Sequence, residues 1–131
     1  MTDWVTERNK CSIDKVFEQM RLDVKDDVEK RQELRVKHPE FGFLTGFHFN
    51  SSTSKFSAST QRQGGSLSIT FCNRKSRIAV MDENDKEFMS GTLTLTDDME
   101  CRIVVSGESQ PLEPWQFRKR ALEKLFFGGD E

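Results

Sequence analysis

Four phenylalanines within ten residues constrain the fold of this chain more than any other feature of its sequence. They are Phe41, Phe43, Phe47 and Phe49, spaced two or four residues apart. Because side chains alternate between the two faces of a strand, all four project from one face when this stretch is extended. An aromatic face of this size must be covered by another layer of structure. We therefore expect a β-strand over 41–50 that contributes either to the core or to an apolar ligand pocket.

Five further strands are predicted after this one. The clearest alternation places Leu67, Ile69 and Phe71 on one face and hydroxyl side chains on the other. The predicted strands cover residues 55–61, 66–71, 77–81, 87–96 and 101–106. The turns between them are short, whereas a parallel crossover needs a dozen or more residues. The six strands are therefore predicted to form an antiparallel meander over about 41–106.

An amphipathic helix is predicted on each side of the strands. In the first, at about 12–36, apolar residues recur at steps of three and four, with Ser12 positioned as the N-cap and Pro39 beyond its end. Its apolar stripe contains Ile13, Val16, Phe17, Met20, Val24 and Val28. The second helix, at about 114–127, begins at Pro114 and stops before two glycines.

These elements predict a single α+β domain over 1–131. A long N-terminal helix is expected to lie against a six-stranded antiparallel sheet that curves around it, followed by a C-terminal helix. A length of 131 residues suits one domain. A content of 34% hydrophobic and 32% charged residues is too polar for a membrane protein, and 11 phenylalanines argue against disorder. Without a recognisable signal peptide or membrane span, the expected compartment is the cytoplasm.

The number and spacing of the cysteines do not indicate a disulfide framework. Cys11, Cys72 and Cys101 are odd in number and have no CxxC spacing. We therefore expect buried or half-buried thiols. With only two histidines and no ligand spacing, the sequence predicts no metal site, and no cofactor motif is present.

The first candidate site is the apolar layer itself. Phe43, Phe47, His48 and Phe71 are candidates for the lining of a pocket between the sheet and a helix, or for the core. A domain of this kind binds a small apolar molecule or a protein partner. The open edges of a meander also favour a homodimer, because dimers commonly bury such edges.

The second candidate site is a basic face on the C-terminal helix. It contains Arg118, Lys119, Arg120 and Lys124. Clustered cations beside aromatic residues are the requirement for binding single-stranded nucleic acid. A net charge of -2 and the absence of known nucleic-acid-binding signatures argue against this alternative.

The third alternative is an enzyme that uses His48. A catalytic histidine needs a second titratable group within hydrogen-bond distance, and Cys72 or Asp82 could meet it across the sheet. No catalytic motif surrounds it. The sequence therefore favours a small, non-enzymatic binding or protein-interaction domain.

Overall fold

The computed structural model describes residues 3–34, 46–62 and 65–128. The helices in these ranges are α1 (Trp4–Lys10), α2 (Ile13–Leu34) and α3 (Pro114–Phe127). The strands are β1 (Phe47–Ser51), β2 (Lys55–Arg62), β3 (Gly65–Asn73), β4 (Ile78–Met81), β5 (Glu87–Leu95) and β6 (Cys101–Val105). Residues 41–45 of the predicted first strand and 35–36 of the predicted first helix lie outside the described residues.

The strands form one open sheet in the order β1-β2-β3-β4-β5-β6. Every neighbouring pair is antiparallel. The predicted α+β class and the antiparallel meander are thus confirmed. The tight β2–β3 connection includes Gly65 at a φ of 138°, a conformation that residues with a Cβ rarely adopt.

Both long helices pack on the same face of this sheet. A row of aromatic rings links the two helices across the sheet. The ring centres of Phe17 on α2 and Phe56 are 4.8 Å apart, and those of Phe56 and Phe71 are 5.0 Å apart. The ring centre of Phe71 lies 6.4 Å from that of Phe117 on α3. The buried residues of α2 are Phe17, Met20, Val24 and Val28. The periodic stripe in the sequence therefore faces the core, as an amphipathic helix requires.

The helix ends follow the local signals in the sequence. The hydroxyl of Ser12 accepts a hydrogen bond from the Lys15 amide at 3.3 Å, which satisfies one unpaired donor at the start of α2. Pro114 is the first residue of α3, and the Glu113 amide donates to the Gln116 side chain at 2.8 Å.

Gly91 has a packing role in β5. Its position in a long strand indicates a β-bulge, but the irregularity lies between Val80 and Met81. A Cβ at Gly91 would be 2.4 Å from Ile103 Cγ2 and 2.9 Å from the Phe117 ring. Glycine is needed here because the Ile103 side chain of β6 and the Phe117 ring of α3 occupy the space that a Cβ would take.

The prediction of unpaired thiols is wrong for two of the three cysteines. Cys11 and Cys101 form a disulfide with an S–S distance of 2.02 Å, and Cys72 is a buried free cysteine. The two bonded residues are 90 positions apart in the sequence. They meet because α2 packs on the sheet with its N-terminal end beside the start of β6, a proximity that spacing in the sequence does not reveal. The disulfide therefore ties the α1–α2 junction to an edge strand.

Candidate functional site

Two of the predicted pocket residues are part of the core. Phe71 is 0% exposed and Phe47 is 8% exposed. The ring of Phe47 contacts Phe126 edge-on at 5.5 Å, so its place between sheet and helices is filled by side chains. Phe43, the other aromatic candidate, lies outside the described residues.

His48 is exposed on the opposite face of the sheet. It pairs across strands with Ser59, which in turn pairs with Ser68, whereas Cys72 lies opposite Lys55 in a different row. Within ranges 3–34, 46–62 and 65–128, the imidazole makes no hydrogen bond or ion pair. Neither Cys72 nor Asp82 meets it, so the arrangement gives no support to general acid–base catalysis.

The basic face of α3 is largely neutralised by acidic neighbours. Arg118 Nε donates to the Asp27 carboxylate at 2.8 Å, and its Nη1 lies 3.5 Å from Asp23. Lys119 pairs with Glu123 at 3.1 Å. These pairings leave little unbalanced positive charge for phosphates at this face.

Arg120 is also paired, and Lys124 is exposed. Two oxygens of Glu108 accept hydrogen bonds from the Arg120 guanidinium. This carboxylate raises the pKa of Arg120. Lys124 alone of the four predicted cations has no ion pair among the described residues. A single exposed lysine is not a nucleic-acid interface.

The most distinctive surface feature is a groove between α2 and α3, which we call the α2/α3 groove. The two helices run in the same direction, because Asp27 on α2 meets Arg118, and Arg31 one turn later donates to the Phe126 carbonyl at 2.7 Å. The groove has a volume of about 340 Å³. Its apolar lining consists of Leu34, Trp115, Leu122, Phe126 and Phe127.

The apolar lining has a buried floor and an exposed rim. Leu122 and Phe126 are buried, whereas Trp115 is 51%, Phe127 60% and Leu34 74% exposed. Large apolar side chains exposed together around a concavity are typical of a surface that meets a partner. The remaining lining residues are Asp27, Lys30, Arg31, Arg118, Lys119 and Glu123. Basic residues thus outnumber acidic ones in the lining by four to two.

Arg31 shapes one end of this groove. Its guanidinium lies 4.5 Å from the centre of the Phe47 ring and 4.8 Å from that of Phe127. Its hydrogen bond to the Phe126 carbonyl also satisfies an acceptor at the C-terminal end of α3. The cation–π contacts hold Phe127 at the rim of the groove.

A second concavity is larger but mostly polar. It lies between β5, β6 and α3, has a volume of about 590 Å³ and includes Arg120. The Arg120 guanidinium is bound to Glu108, and Glu87 is paired with Arg77 at 2.8 Å. Its charged groups therefore satisfy each other. No group of three or more potential metal-ligating side chains occurs in the part of the chain that the structure describes.

Comparisons with protein-family profiles, with curated proteins and with solved structures found no match to this chain. The identification of the candidate site therefore rests on the geometry of the α2/α3 groove alone. No helix among the described residues is long and apolar enough to cross a membrane.

Sequence patterns identify the residues of the groove but not their exposure. Trp115, Leu122 and Phe126 fall on one stripe of the predicted C-terminal helix, and Leu34 continues the stripe of the first helix. Both stripes are wide enough that their edges extend beyond the sheet. The groove residues could therefore be identified as apolar residues at the edges of the two stripes. Periodicity alone does not tell whether a residue at such an edge is buried or exposed.

Proposed function

We propose that this protein is a non-enzymatic protein-interaction domain that binds an apolar segment of a partner in the α2/α3 groove. The observation that supports this is the cluster of exposed Leu34, Trp115 and Phe127 around the buried floor. Sites for small molecules bury most of their ligand in a closed concavity. Here the largest apolar side chains stand at the rim, which favours a partner with an extended surface.

The shape of the groove favours a helical segment. Trp115 and Phe126 are eleven residues apart on α3, which corresponds to about 17 Å, or three helical turns. A parallel pair of helices offers a channel into which the apolar face of a third helix can pack. Lys30 and Lys119 lie at the rim in ion pairs with Asp26 and Glu123 that are exposed and therefore weak, so acidic groups of a partner can compete for these two lysines.

The compartment is a separate part of the proposal. The sequence predicts the cytoplasm, and this stays a prediction. The Cys11–Cys101 disulfide argues for an oxidising compartment instead, because disulfides are rare in reducing compartments. Alkylation of thiols in intact cells, followed by mass spectrometry of the peptides that contain Cys11 and Cys101, distinguishes the two locations.

Titration with the dye 1-anilinonaphthalene-8-sulfonate tests the groove. The dye combines an apolar ring system with one negative charge, as the proposed partner does, and its fluorescence rises in apolar surroundings. We expect saturable binding at one site. The double variant Trp115→Ala/Phe127→Ala should weaken binding by about tenfold or more, equivalent to about 1.4 kcal/mol.

Leu22→Ala provides the matched control. Leu22 is a large exposed apolar residue of α2 that does not line the groove. Its replacement should leave dye binding unchanged. If the parent protein shows no saturable binding, or if the groove variant binds the dye as well as the parent, the proposed function is wrong.

A further inference from the structure

We propose that the segment bound in the α2/α3 groove is helix α1 of a second copy of this chain. The inference depends on the proposed function, because it names the partner of the same groove. It follows from two surfaces of one molecule that each lack an apolar partner. One is the groove, and the other is α1.

Helix α1 makes little contact with the core. It has seven residues, and none of them is buried. Trp4 is 61% and Val5 57% exposed. A helix this short is marginal in water unless an apolar side packs against something. Tryptophan is among the residues that most often anchor such packing.

This α1 cannot reach the groove of its own chain. The C-terminal end of α1 is held at Cys11 by the disulfide to Cys101 on β6. The groove begins at Asp27, sixteen residues further along α2, about 24 Å away. Seven helical residues extend only about 10 Å. An encounter between α1 and the groove therefore requires two molecules.

The chemistry of the two surfaces is complementary. Trp4 and Val5 supply apolar bulk for the floor formed by Leu122 and Phe126. Acidic side chains flank this end of α1, since Asp3 is its N-cap and Glu7 is one turn away. The rim of the groove offers Lys30 and Lys119, which are exposed and pair with Asp26 at 3.3 Å and Glu123 at 3.1 Å. Exposed ion pairs such as these, and the pair of Glu7 with Lys10, are weak, so they can exchange for pairs between two copies. Opposite charges around an apolar contact direct association and fix its orientation.

The arrangement determines how copies assemble. Because α1 and the groove are different surfaces, a contact between them is heterologous unless two molecules exchange α1 helices reciprocally. In either case, one intact α1 and one intact groove suffice for a single contact. This property allows a complementation experiment with full-length chains.

The experiment uses two double variants, Trp4→Ala/Val5→Ala and Trp115→Ala/Phe127→Ala, in sedimentation velocity over about 5–500 µM, the range suited to a small interface. All four side chains are more than half exposed, so both variants should fold, as circular dichroism will verify. We expect the parent and Leu22→Ala to self-associate. Each double variant alone should associate about 30-fold or more weakly. An equimolar mixture of the two should form a one-to-one complex.

A second measurement reports on Trp4 directly. In Trp115→Phe, Trp4 is the remaining tryptophan of the two in the chain. Its emission should shift to shorter wavelength, and its quenching by acrylamide should fall, as the protein concentration rises.

Three results would overturn the inference. They are a parent that stays monomeric at every concentration, an α1 variant that associates as strongly as the parent, and a mixture of the two double variants that forms no complex. If any of these occurs while groove-dependent dye binding persists, the proposed function stands and only the identity of the partner is wrong. Loss of groove-dependent dye binding would overturn the proposed function itself.

Discussion

Arg21 shows how one side chain can organise a turn that lies 30 residues away in the sequence. Its guanidinium donates to the Ser52 carbonyl at 2.6 Å and to the Thr53 carbonyl at 3.0 Å, while Glu18 pairs with it from the preceding turn of α2. It also lies 5.3 Å from the ring centre of Phe17. The planar guanidinium of Arg21 thus joins helix α2 to the β1–β2 turn by donating several hydrogen bonds at once.

We expect Arg21→Lys to lower the free energy of unfolding by about 2–3 kcal/mol. Lysine keeps the charge but has no planar fork, so several carbonyl groups lose their donor. Urea unfolding followed by circular dichroism measures the change. Arg74→Lys, at an exposed arginine in the β3–β4 turn, is the control and should have no effect. Equal losses in both variants would contradict this role for Arg21.

The buried phenylalanines of β1 and β3 give the second prediction at this scale. Phe47 and Phe71 are buried, so Phe47→Ala and Phe71→Ala should each cost about 3–5 kcal/mol in urea unfolding, through lost burial and a residual cavity. Phe88→Ala, at a phenylalanine that is 46% exposed, should cost about 1 kcal/mol or less. A loss of about 1 kcal/mol in the buried variants would mean that their rings line an open pocket.

At the scale of elements, α3 has two distinct roles. One side packs on the sheet through Phe117, Ala121 and Leu125, and the adjacent side pairs with α2 through Arg118. Two of the basic residues predicted to bind phosphates instead join elements, because Arg118 pairs with α2 and Arg120 pairs with Glu108 in the turn after β6. This use of charge could not be inferred from α3 alone, because Asp23 and Asp27 lie on a helix about 90 residues earlier.

The disulfide gives a prediction at the scale of elements. Reduction with dithiothreitol, or Cys11→Ser/Cys101→Ser, opens a loop of 90 residues. The chain-entropy relation for such a loop predicts a loss of about 4–5 kcal/mol. Urea unfolding with and without reductant measures it. Cys72→Ala leaves the disulfide intact and should keep the full response to reductant. A parent protein whose stability is unaffected by reductant would contradict the prediction.

At the scale of the whole molecule, the two edges of the sheet are partly covered. On β1, the Phe47 amide donates to the Gln32 side chain at 2.7 Å. On β6, Ile103 exchanges backbone hydrogen bonds with Leu112 at 2.7 and 2.8 Å. Covered edges resist pairing with other chains. The sequence predicted that copies of the chain associate through the sheet edges. Because these edges are partly covered, we instead propose association through α1 and the α2/α3 groove.

The sequence by itself determined the two long helices, the strands and their order, but it did not predict helix α1 over Trp4–Lys10. Periods of two and of three to four residues are local properties, so strands such as 101–105 and helices such as 114–127 follow from neighbouring side chains. Short turns then excluded parallel pairing. Even the N-cap at Ser12 and the start at Pro114 could be predicted, because capping depends on a few adjacent residues.

Only the tertiary structure decided which distant side chains meet. The Cys11–Cys101 disulfide, the pairing of Arg118 with Asp27, and the groove beside Trp115 all join residues about 80 or more positions apart. Periodicity assigns a residue to one face of its element, but not to a neighbour across the fold. The sequence therefore predicted most of the fold, whereas the candidate site depended on how α2 and α3 pack side by side on one sheet.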